Sequence, residues 1–402
     1  MRSFNVDDKL KDREIIKRAI VVVCKSKKRK KKGSNRKYKL AQHILKNQDK
    51  YIDEILEMIS AFEKAMKALE MGEEIEPEIL EKAYKPRKCP TFIAKDGSSK
   101  KVRSITGVPL YPDQIIQQLI IEVSEPIFLK ESYEYSCGSI RGRGTHKGIK
   151  YIKKVIKRHS KYDKSAIKYG AQLDITKCYP SISHSYLKGQ LRRKFRGKLF
   201  IWLSFAIIDS YHDFERDGEY YGIAIGYPVS QGFCNFALTP LDHYIKEELG
   251  IEYYVRYVDD KTLFCRNKKL LHKAVKAIIE FLKSIGLKIK ENWQVFRFDY
   301  INKYGKRLGR AIDTLGCRFF RDKMILRKRN ALAIRRQVRK ISKMKKVTAH
   351  AAQSLMSRLG QLRHCNSYRF YQKYVKPFVD IRKLKEVIRN ESRKHNQACC
   401  TV

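Results

Sequence analysis

An acid pair set inside a strand constrains this chain more than any other feature. The run from Glu252 to Phe264 is rich in aromatic and β-branched residues, as a strand is. Asp259 and Asp260 interrupt it. Adjacent carboxylates are depleted in strands, and near a core they are costly unless something neutralises them. A divalent metal does so, because hard cations take carboxylate oxygens. Taken alone, Asp-Asp reads as an exposed hairpin turn. A third acid in matching context, Asp174, stands 85 residues upstream of Asp259 (259 − 174). Ala171-Gln172-Leu173 leads into it like a buried strand, and the chain turns at Pro180. Two strands delivering carboxylates to one edge can hold two metal ions about 4 Å apart, the arrangement for in-line attack on a phosphate.

At these residues the chain resembles a reverse transcriptase. Asp174 falls in the first catalytic motif of that family, and Tyr257-Val258-Asp259-Asp260 makes the Tyr-x-Asp-Asp motif of the second. The resemblance implies that Asp174, Asp259 and Asp260 are catalytic and bind two Mg²⁺ ions, with Mn²⁺ able to substitute and Asp260 mattering least for the metal. Tyr179, five residues after Asp174, stands where the family places an aromatic side chain that excludes a ribose 2′-hydroxyl. Alone, it reads as core packing. Ile225-Gly226-Tyr227-Pro228-Val229-Ser230-Gln231 fits the substrate-binding motif that normally runs Gln-Gly-x-x-x-Ser-Pro, with Ile225 for the leading Gln and Gln231 for the trailing Pro. This variant is similar to that of the reverse transcriptases of diversity-generating retroelements, and of prophage-borne and defence-associated bacterial ones. Gly226 would admit a close approach of backbone to the incoming base pair. Ile225 removes a polar contact, which implies relaxed selectivity. Tyr257 joins these residues as substrate-binding.

Further motifs follow in the family's order. Lys95 to Ile105 reads as a hairpin turning at Asp96-Gly97, with Lys101 and Arg103 on the returning strand where the resemblance implies a grip on the triphosphate. In so basic a chain, any single Lys also reads as solvated surface. Tyr111 to Gln117 resembles the start of the fingers helix. Gly138 to His146 is a Gly/Arg loop before a helix, which makes Arg141 and Arg143 a candidate clamp for template phosphates. Asp313 to Phe320 resembles the primer-grip hairpin. In Gly286 to Trp293, the usual spacing places Trp293 where many relatives carry a Lys assigned to protonating pyrophosphate. Lys288 or Lys290 can take that place, or water can supply the proton.

Composition agrees. Against 42 acidic residues stand 88 basic ones, a formal charge of +46. Nucleic acid is the expected partner for such a surplus, since each neutralised phosphate releases counterions. No apolar stretch reaches the ~20 residues that span a bilayer, and the run Ala19 to Cys24 is too short for a signal peptide. The ten cysteines show no zinc spacing and read as reduced cytosolic thiols. The Lys25 to Lys32 run reads as a loop or RNA-binding arm, with a nuclear address the alternative.

The expected fold is α+β, a right-hand polymerase with fingers, a ferredoxin-like palm and a helical thumb. Residues 1–86 form a basic extension with helices over 36–86, followed by fingers at 87–170, palm at 171–325, thumb at 326–390 and a tail at 391–402. The thumb carries Arg335, Arg336, Arg339 and Lys340 against nucleic-acid backbone; a generic helical cap is the other reading. The expected activity is RNA-directed DNA synthesis from deoxynucleotide triphosphates in the bacterial cytoplasm, on a noncoding or template-repeat RNA and with an accessory protein. The setting is a diversity-generating retroelement or an antiphage system. Two rivals stand beside it, an untemplated DNA polymerase and a catalytically silent RNA-binding scaffold.

Overall fold

In the computed structural model, which describes residues 4–27, 36–95 and 102–400, the aromatic and β-branched run folds as a hairpin. Tyr253–Tyr257 and Asp260–Cys265 pair antiparallel, with Tyr253 opposite Phe264 and Tyr257 opposite Asp260. They belong to a four-stranded sheet ordered Tyr253–Tyr257, Asp260–Cys265, Tyr169–Asp174, Gln294–Arg297. Along the chain these are the second, third, first and fourth strands. Helices separate the first from the second, and the helix Lys268–Ser284 separates the third from the fourth. This is the β-α-β-β-α-β succession of ferredoxin-like folds, as the palm reading expected.

The chain divides into two compact units, each assembled from three stretches. The first takes 1–143, 174–250 and 275–291; the second takes 144–173, 251–274 and 292–402.

The first unit is largely helical. Arg13–Lys25 starts at Asp12, whose carboxylate accepts the Glu14 and Ile15 amides, a cap that satisfies two otherwise orphaned donors. Its buried Ile16 and Ile20 pack with the apolar sides of Gln48–Met71 and Ile115–Glu131. The helical spacing read over 36–86 appears as Arg36–Lys46, Gln48–Met71 and Pro77–Lys82. Ile44, Tyr51, Ile55, Ile59 and Phe62 are buried on it, whereas Leu69, in the last turn before Gly72, is 59% exposed. The apolar helix Lys198–Asp209 buries Leu199, Phe200 and Leu203. The hairpin after it turns at Asp217 and Gly218, both at positive φ, as a two-residue type I′ turn requires. Thr91–Lys95 pairs antiparallel with Val102–Thr106; the Asp96-Gly97 turn and Lys101 lie outside the described residues.

In the second unit, beside the four-stranded sheet, Ile312–Thr314, Cys317–Phe319 and Met324–Leu326 form an antiparallel sheet that turns at Leu315 and Gly316. The helices Lys328–Ser342, Ala349–Gly360, Tyr368–Tyr374 and Ile381–Cys400 follow. The eight cysteines with described side chains are free thiols. Among the described residues, no helix is long and apolar enough to cross a membrane. Of the Lys25 to Lys32 run, residues 28–32 lie outside the described residues.

Candidate active site

The turn that carries the acid pair is held from behind by two buried cations. Arg256 and Lys261 face each other across the hairpin and are both essentially inaccessible to solvent. Arg256 Nη1 donates to the Val258 carbonyl at 3.0 Å, and Lys261 Nζ donates to the Asp259 carbonyl at 3.2 Å. Val258 sits at φ +56°, a left-handed backbone that is costly for a β-branched residue. Hydrogen bonds from charged donors to the turn's carbonyls help offset that cost. Asp259 is half-buried and Asp260 exposed, with Tyr257 half-buried just before them. Sequence reasoning passed over Arg256 and Lys261; a cation in each of two otherwise apolar strands was the available signal.

Asp174 ends its strand, and the segment 288–290 runs beside it in the first unit. Ile175 bridges Ile289 in antiparallel fashion. The Thr176 amide donates to the Lys288 carbonyl at 2.8 Å, and the Lys290 amide to the Asp174 carbonyl at 2.9 Å. This register sets the Lys290 ammonium on Asp174 Oδ2 in an ion pair. Asp174 Oδ1 is buried, with no hydrogen-bond partner among the described residues. An orphaned carboxylate oxygen is what a hard cation would take, so this residue fits a metal ligand. Among the described residues, no three metal-ligating side chains gather into one cluster; the charge found on Asp174 is that of a lysine.

Beyond Asp174 the chain bends through Lys177, at φ +43°, into a short 3₁₀ turn, Tyr179–Ser181, that leaves Tyr179 half-buried. The Tyr179 carbonyl accepts the Ile223 amide at 3.0 Å. Cys178 Sγ lies 3.7 Å from Cys234 Sγ on the helix Ser230–Ala237. The two sequence motifs are thereby joined. Ile225 is half-buried and its carbonyl accepts the Thr106 amide at 2.7 Å. Gly226, at φ +127°, comes so close that a Cβ would fall 2.3 Å from the Thr106 carbonyl oxygen. The backbone this glycine admits is that of Thr106.

Gln231 is exposed at the mouth of a cavity of about 180 Å³, lined also by Phe128, Phe233, Phe236, Glu125 and Ser139. The structure thus brings Gln231 and the Gly/Arg loop together. Arg141 of that loop is exposed and lies 3.8 Å from Glu125; burial pushes the Glu125 carboxyl up, and Arg141 only partly counters it. Arg143 turns inward, donating to the Tyr133 carbonyl at 2.6 Å near the end of Ile115–Glu131. Arg103 is exposed on its strand, opposite Ala94.

In the second unit Trp293 is half-buried, with its ring 6.2 Å from His272. Of the thumb residues, Arg335 stacks its guanidinium 4.1 Å from the Tyr374 ring centre. Arg336, Arg339 and Lys340 are exposed on the same helix, at spacings that put them on one face.

A ferredoxin-like sheet with an acid pair on its hairpin turn and a third acid ending the adjacent strand defines a right-hand nucleic-acid polymerase. Residues 93–300, just over half of the chain, match the family model described as reverse transcriptase (RNA-dependent DNA polymerase), and the chain belongs to that family. Solved structures similar to it include apo telomerase from Candida tropicalis, at 12% identity and TM-score 0.46, with 95% of this chain and 75% of that one covered. Telomerase from Candida albicans with a TWJ fragment of telomeric RNA is 14% identical at TM-score 0.42, with 77% and 58% covered. A Candida tropicalis telomerase lacking its C-terminal domain is 14% identical at TM-score 0.39, over 59% of this chain. This chain covers about half of that last structure, 53%. No curated protein matches the chain.

Proposed function

We propose that this protein is an RNA-directed DNA polymerase that makes cDNA on a dedicated noncoding or template-repeat RNA. The observation that carries the reading is the acid pair on a hairpin turn locked by buried Arg256 and Lys261, inside a reverse transcriptase family match. Family membership implies divalent metal ions, and Mg²⁺ is the ion proposed. Asp174 and Asp259 would hold them, with Asp260 adding negative charge. When bound, such a pair activates an attacking oxygen and steadies a leaving one. The chain's own residues then supply position and charge. Lys101 and Arg103 grip the triphosphate, Tyr179 crowds the sugar, and Tyr257, Ile225, Gly226 and Gln231 line the nucleotide's place. Arg141 and the exposed stripe Arg336, Arg339 and Lys340 take nucleic-acid phosphates, which sequence-independent contacts to Arg and Lys favour.

Fingers at 87–170, palm at 171–325 and thumb at 326–390 are the proposed division. The Ile225 to Gln231 variant supports a bacterial diversity-generating retroelement or antiphage system, with a structured RNA and an accessory protein as partners. Paired near-identical repeats in neighbouring DNA would favour the first, and a structured RNA gene without repeats the second. A catalytically silent scaffold draws on one observation, the Lys290 cation on Asp174.

Primer extension with Mg²⁺ on a defined RNA, with and without template and with Asp259→Asn as control, tests the proposal. Template-copied DNA that vanishes in the variant supports it. Product that grows without template moves the reading to untemplated synthesis, and RNA binding with no product under either condition moves it to the scaffold.

A further inference from the structure

We propose that Lys290 is an exchangeable counter-ion, holding the Asp174 carboxylate while no divalent cation is bound and yielding that place when one arrives. Metal binding at Asp174 is then a displacement. The inference rests on the reading of Asp174 as a metal ligand.

Three observations support it. First, the Lys290 ammonium sits on Asp174 Oδ2, one of the two oxygens a cation would use. Its backbone amide is bonded to the Asp174 carbonyl, and the Ile175–Ile289 bridge fixes the register. The lysine is therefore built into place rather than brushing past. Second, Asp174 Oδ1 is buried and unpartnered among the described residues. A carboxylate in that state is costly without a positive neighbour, so a resident cation stabilises the metal-free protein. Third, the pair is not sealed: the Lys290 side chain is 35% exposed. Its flexible stem can return a strongly hydrated ammonium to water.

Physics forbids both cations from sharing the site at full strength. An ammonium and a divalent ion on one carboxylate repel each other at the effective dielectric of a protein surface. The incoming ion must therefore offset the Asp174–Lys290 attraction, and its apparent affinity is lower by that factor. The lysine sets a metal concentration below which the carboxylate stays occupied by the chain itself. It also explains how an acid that ends a strand is tolerated during folding, before any metal is present.

The test is direct Mn²⁺ binding, followed by loss of the free-ion electron paramagnetic resonance signal, on the full chain without nucleic acid. Wild type is compared with Lys290→Met and Lys290→Gln, so that a folding defect in one does not decide the matter. Both variants should bind Mn²⁺ more tightly, by about three- to tenfold for a half-buried pair. Without metal both should melt below wild type, and saturating Mn²⁺ should narrow the gap. Equal or weaker Mn²⁺ binding in both variants overturns the exchange. Asp174→Asn separates this failure from failure of the site reading. If that substitution abolishes binding while the Lys290 variants match wild type, Asp174 is a ligand and only the exchange is wrong. If Asp174→Asn in the Lys290→Met background binds as well as Lys290→Met alone, both fall together.

Discussion

Arg256 and Lys261 stand opposite each other across a hairpin, and both send a buried positive charge onto carbonyls of the turn that presents Asp259. They brace the backbone of that turn from its carbonyl side.

Arg256→Met should keep the volume and lose the charge. The Val258 carbonyl then loses a charge-assisted bond and the left-handed turn its brace. We expect a loss of about 2–3 kcal/mol in stability, read by urea denaturation, and a fall in polymerase activity that Mn²⁺ excess does not restore.

Gly226→Ala combines a strained φ with a Cβ 2.3 Å from the Thr106 carbonyl. Its cost should reach at least about 2 kcal/mol. Gly218→Ala has a positive φ but nothing within 4 Å of the new Cβ, so it should lose only about 1 kcal/mol. Paired thermal melts check the difference; equal costs would show that contact with Thr106 does not matter.

Burial raises the Glu125 carboxyl, and Glu122 adds to it, against Arg141. A carboxyl raised on folding binds its proton more tightly in the folded state. Its unfavourable contribution is therefore absent below the unfolded value, near 4.3, and grows as pH rises through the folded one. Glu125→Gln should melt above wild type at pH 7, by about 1–2 °C, with the gain disappearing at pH 4. A gain that persists at pH 4 would show that charge is not its source.

Exposed and internally engaged arginines should separate in salt titrations. Replacing Arg336, Arg339 and Lys340 together by Ala should weaken RNA binding and lower the slope of log affinity against log salt by about 2–3. Arg143→Ala should leave the slope unchanged and lower stability instead, because its guanidinium is spent on the Tyr133 carbonyl. Fluorescence anisotropy across a salt series reads both.

The acid pair was legible because it breaks the composition of its own strand. Lys290 was less so. Linear spacing pointed to Trp293, whereas the residue beside Asp174 is chosen by strand register between segments more than a hundred residues apart, which local pattern does not encode. Arg256 was missed for another reason. Alternation predicts a polar residue on a wet face, but Tyr254, Val255 and Arg256 are all buried; a strand covered on both sides has no wet face to assign. For Gly226 the motif implies a close backbone approach, and the backbone found against it is that of Thr106, 120 positions away (226 − 106), a distance in sequence that no local pattern reveals.

The chain's alternation between its two units has a consequence for synthesis. The path leaves the first unit after residue 143 and comes back for its last stretch only at 275–291. At about 5–20 residues per second, the 148 residues from 143 to 291 take the ribosome about 7–30 s. During that interval the early helices have been made but lack part of the unit that covers them, and the second unit still awaits its C-terminal stretch. No single cut releases either unit whole. Chains shortened to end before residue 291 leave the first unit incomplete, so they should aggregate more readily than the full chain.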